Sequence, residues 1–215
     1  MKYVFMTLTT AIGLWVASAQ AVTSEQFQDA YQHAQAAVAG DKAQIPEAVD
    51  KFTRLAQAEP GDPLLLVNLG AVTAMQARTT WLPWKKMRYA EDGMAMQDKA
   101  LALLTPATDA RLQDGVAVTL LVKFTAASTF LAVPRMFGRR DQGAKLMSEV
   151  LGSPLFDPAP LTFRGVVWLR AAQLAGDQAK PDQARNYLSA IIEHNAPQAV
   201  EAREQLKQIK PRNGS

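Results

Sequence analysis

PEAVDKFTRLAQAEPGDPLLLVNLGAVTAM, residues 46–75, reads as two helices separated by a hard stop. In the first, from about Pro46 to Ala58, Ala48, Phe52 and Leu55 recur at four- and three-residue spacing and mark one apolar face. Pro46 stands near the first turn, where a missing N–H costs nothing. Pro60-Gly61-Asp62-Pro63 then breaks the chain. Beyond Pro63 a second apolar helix carries Leu66, Asn68, Leu69 and Gly70.

Outward from this stretch the pattern stays helical. Upstream, Thr23 can cap a helix with Gln26 reaching back as a capping box, and Phe27, Ala30, Tyr31, Ala34 and Val38 form its buried stripe before Gly40 ends it. Downstream, Pro and Gly punctuate the chain at Pro83, Pro106, Pro134, Gly138, Pro154, Pro158, Pro160, Gly176, Pro181 and Pro197. The intervals have the length of ordinary helices, roughly 12–20 residues. No segment of the mature chain reads as strand, so the expected class is all-α.

The order of a small residue, a large apolar one four later and Pro eight further on, met here as Ala48, Phe52 and Pro60, resembles the second helix of a tetratricopeptide (TPR) repeat. Asn68-Leu69-Gly70 falls where the next repeat would place it. The resemblance covers about thirty residues, with weaker echoes at Ala184, Leu188, Ile191 and Pro197, and at Ala144 with Leu151. It implies a TPR-like α-solenoid over 22–209, in about four irregular hairpins (23–60, 61–106, 107–152 and 158–195) closed by a capping helix at 198–209. Ala48, Ala144 and Ala184 lie 96 and 40 residues apart. These intervals exceed the usual ~34-residue repeat, and another superhelical packing fits the second half as well. By register, the resemblance also implies a partner-binding groove at Leu64, Asn68, Ala71 and Met75, with Asn68 able to bond a bound backbone in both directions.

Residues 1–21 carry the order of a secretory leader: Lys2, an apolar run from Val4 to Val16, then Ala17-Ser18-Ala19 and Ala19-Gln20-Ala21. The run is too short to span a bilayer, for which about 20 residues are needed. Cleavage after Ala19 or Ala21 would deliver a periplasmic protein whose mature chain has no transmembrane segment, ending in a frayed tail at 210–215.

Composition narrows the chemistry. Cysteine is absent, which removes disulfides, thiolate catalysis and cysteine-bound metals. The formal charge of +3 is too small to imply nucleic-acid binding. His33 and His194 stand alone with no metal-ligand spacing, and Glu91-Asp92 point different ways on a helix. With no phosphate loop and no nucleophile elbow, neither an enzyme nor a metal or cofactor site is expected.

Two connections stand out. Trp81, Trp84, Lys85, Lys86 and Arg88 crowd the first; Arg135, Phe137, Arg139 and Arg140 crowd the second. Residues 81–145 hold ten basic and six acidic side chains, whereas 20–80 hold four and seven. On one reading the two segments share an edge and form a single basic, aromatic contact patch. On the other, Trp84 and Met87 open a core stripe continued by Met94 and Leu101, and the cations are merely solvated. The expected function is an adaptor holding a protein or peptide partner in a bacterial envelope assembly. The alternative is an accessory protein that binds an anionic envelope lipid or cell-wall fragment through that patch.

Overall fold

A computed structural model describes residues 22–209. The leader at 1–21 and the tail at 210–215 lie outside the described residues. The chain is all-α: α1 (Ser24–Val38), α2 (Ile45–Ala58), α3 (Pro63–Met75), α4 (Pro83–Ala102), α5 (Pro106–Ala110), α6 (Val118–Ala132), α7 (Arg140–Leu151), α8 (Leu161–Asp177), α9 (Pro181–Glu193) and α10 (Ala199–Gln208). The helices pack as successive pairs, α1 on α2, α3 on α4, α6 on α7 and α8 on α9, with α10 laid on α9. One apolar core runs through them from Phe27 to Ala202.

Local chemistry sets the boundaries. Thr23 Oγ1 accepts the Gln26 N–H at 3.2 Å while Gln26 Oε1 accepts the Thr23 N–H at 3.0 Å, closing the capping box. Asp62 caps α3 by accepting from Leu64 and Leu65 N–H, and Arg111 pairs with its other oxygen at 2.7 Å. Lys51 on α2 donates to Asp29 on α1 at 2.6 Å. That bond holds the Asp29 carboxyl below its ordinary range and the Lys51 ammonium above its own.

The structure adds an element that hydrophobic patterning did not suggest. Leu112–Gln113 and Val116–Ala117 pair as a two-stranded antiparallel hairpin. Its loop is Asp114-Gly115, both at positive φ (51° and 78°), the geometry that Asp-Gly favours in a two-residue hairpin turn.

At the centre, α3 packs on α2, α4 and α6. Gly70 and Gly93 let α3 and α4 approach so closely that a Cβ added to Gly70 would stand 2.6 Å from the Gly93 carbonyl oxygen. Gln97 is fully buried beside this crossing, and its amide donates to Thr129 Oγ1 of α6 at 2.8 Å. One polar bond thereby registers α4 against α6 inside an apolar layer.

Candidate functional site

The groove implied by the resemblance is closed. Leu64, Asn68 and Ala71 are buried, and Met75 is half-buried. The Asn68 amide donates to the Leu64 carbonyl one turn back, at 2.8 Å. The reason is positional: α3 is covered on several sides by α2, α4 and α6, so its residues fill core rather than line a surface.

The Trp81–Arg88 segment is different. Trp81 is 82% exposed, Trp84 65% and Met87 42%. Every residue from Pro83 to Arg88 is exposed, whichever face of the helix it occupies, and burial in α4 begins only at Ala90. The side chains of the first turns of α4 are therefore open to solvent, beside the 3-10 turn Gln76–Arg78 that continues α3 and packs on α4. Trp84 and Met87, three residues apart, share one face. The core-stripe reading of these two residues is corrected: the stripe holds for Met94, which is buried, but starts at Ala90.

Charge follows the same division. Arg139 donates to both oxygens of Asp98 on α4, at 3.1 and 2.6 Å, and lies over the Phe130 ring at 5.1 Å. Arg140 pairs with Asp177 on α8 at 2.6 Å. Phe137 packs against the core. Three of the four residues singled out in the second segment are thus spent on internal ties, and Arg135 is exposed beside Met136. Asp98 stands fourteen residues along α4 from Trp84, about 21 Å on the helical rise. Arg139 is accordingly held toward the opposite end of α4, so the single shared patch is not formed through it. By contrast Lys85 and Lys86 make no ion pair or side-chain hydrogen bond among the described residues, and Arg88 reaches only Asp92, at 3.6 Å.

Comparison with protein-family models, curated proteins and solved structures finds no match. Functional reading therefore rests on this chain's own geometry.

Other features are weaker as sites. His33 Nδ1 shares a hydrogen with Gln44 Oε1 at 2.6 Å, and His194 stacks on Trp168 with centroids 5.3 Å apart. Trp168 is also covered by the Arg164 guanidinium at 4.8 Å, so this aromatic is consumed by packing. Arg170 donates to the Ser128 carbonyl at 3.1 Å, and burial pushes its guanidinium below the ordinary value. A cleft of about 420 Å³ between α8, α9 and α10, walled by Ala172, Ala184, Leu188 and Ile209, carries no charged side chain in its lining.

The Arg139–Asp98 tie gives a first prediction. A double-mutant cycle on Arg139→Ala and Asp98→Ala should return a coupling of about 1 kcal/mol in urea unfolding, modest because both side chains are about a third exposed. A coupling near zero would show that the pair holds nothing.

Proposed function

We propose that this chain is an exported, TPR-like adaptor of the bacterial envelope that works by contact rather than by catalysis. The exposed start of α4 with the two residues before it, Trp81–Arg88, is its contact surface. One observation carries the reading. Two Trp, a Met and three cations are held in solvent at the start of α4 and in the connection just before it. Exposed singly, such residues mean little; grouped on a rigid element they form the kind of aromatic and basic cluster that dominates binding energy at interfaces. The groove on α3 that the resemblance implies is filled by core, so contact passes to this surface.

The leader-like residues 1–21 support export, and the paired helices support the repeat reading. Site-specific photo-crosslinking tests the surface. A photo-crosslinking amino acid in place of Trp84 should give a discrete adduct in envelope preparations. The same group in place of exposed Val200 on α10 should not. The Trp84 adduct should also disappear when Lys85→Glu and Lys86→Glu are combined with it. Identical patterns from positions 84 and 200 would sink the assignment.

A further inference from the structure

The chemistry of residues 81–88 says what they meet. Between Thr79 and Ala90 there are three cations and no acidic residue, with exposed Glu91 and Asp92 following one turn further along α4. Trp81 and Trp84 present large apolar rings with one polar N–H each, the side chains that concentrate at membrane–water boundaries. Every residue from Pro83 to Arg88 is exposed, so these side chains can meet a flat surface without a complementary pocket. Lys85 and Lys86 are unpaired among the described residues, and the Arg88–Asp92 pair is long and solvent-exposed, so no strong internal bond must break for these charges to turn outward. Among the described residues no helix is long and apolar enough to cross a membrane, so any lipid contact made by this body is peripheral.

Resting on the reading that this exposed segment is the contact surface, we propose that it docks on an anionic phospholipid bilayer. Trp81, Trp84 and Met87 seat among the headgroups while Lys85, Lys86 and Arg88 meet the phosphates. Apolar insertion and charge act together, since neither a few rings nor a few cations alone anchor a soluble body firmly. Salt weakens the second contribution and leaves the first. The adaptor is thereby held at the membrane surface with the remainder of its helices free to face the envelope space.

Vesicle sedimentation with the chain from Val22 onward, which holds the whole described core, tests this. Vesicles of phosphatidylglycerol mixed with phosphatidylcholine are compared with phosphatidylcholine alone. The anionic vesicles should bind the protein at least about tenfold more tightly, at about fivefold per cation near the surface. Lys85→Glu with Lys86→Glu should remove most of that preference. Trp81→Ser with Trp84→Ser should weaken binding to both compositions and abolish the blue shift of tryptophan emission on adding vesicles. Both pairs lie at exposed positions, so circular dichroism should show them as helical as the parent. Equal binding to the two compositions, unchanged binding in both variants, or no binding to anionic vesicles would each overturn the proposal. Failure with vesicles alongside a discrete protein adduct at position 84 would overturn the lipid assignment and leave the contact surface standing; loss of both would remove the surface as well.

Discussion

Gly93→Ala should cost about 3 kcal/mol or more of stability, the upper range for overpacking a tight contact. By intrinsic propensity the change favours the helix, since Ala is better than Gly by about 1 kcal/mol in a helix interior. Sterics reverse the sign. A Cβ on Gly93 would press on the Gly70 carbonyl oxygen and lie 2.6 Å from the Ala74 amide nitrogen and 2.8 Å from Ala74 Cβ. Two of those atoms are helical backbone, which cannot swing aside as a long side chain does. Relief requires α3 and α4 to separate, and the strain would then reach Gln97 and its bond to Thr129 on α6. Urea unfolding followed by circular dichroism measures the loss. Gly70→Ala should behave alike, and the double substitution should cost less than the two singles together, because the first already opens the crossing. An unchanged midpoint for Gly93→Ala would mean that the helices do not cross this closely.

Half of this crossing could be read in the sequence. Gly70 belongs to the Asn68-Leu69-Gly70 group that the repeat resemblance singles out, while Gly93 is an isolated glycine in α4 with nothing beside it to announce a contact. The helices and their pairing were largely visible because proline and glycine punctuate the chain and the apolar stripes keep a helical period. The hairpin at 112–117 escaped because its strands are two residues long, too short for any period to register, although Asp114-Gly115 carried the turn signal.

The site was legible in composition and not in geometry. The groove at Leu64, Asn68, Ala71 and Met75 was expected from the repeat resemblance; Pro63–Val72 is apolar nearly throughout, and a helix without a polar face is enclosed by protein, which is why the first three of these residues fill core. Arg139 and Arg140 looked like free charge because their partners, Asp98 and Asp177, stand 41 and 37 residues away. Nothing local reveals such a pairing. Trp84 and Met87 matched a core stripe in spacing, yet periodicity cannot tell whether a neighbour covers those two side chains. Here both are exposed.

That difference predicts opposite outcomes for two large aromatics. Phe52→Ala should cost about 4 kcal/mol, within the range for removing a core Phe. Phe52 is fully buried on α2 and meets the edge of the Phe27 ring at 6.0 Å between centroids. The lost ring leaves a void walled by α1 and α3, which pack on α2 along its length and cannot fully collapse into it. For a domain whose whole stability is about 5–15 kcal/mol, such a loss leaves little margin. Trp84→Ala removes a larger side chain and should change stability by less than about 0.5 kcal/mol, because the ring is already in solvent. Thermal unfolding of the two variants beside the parent decides the matter. If Trp84→Ala destabilised as much as Phe52→Ala, the ring would be packing residue, and neither a partner nor a bilayer could have it. With Trp84→Ala silent in stability and deficient in binding, the ring's role lies in contact, since nothing in the fold would then account for a tryptophan held there.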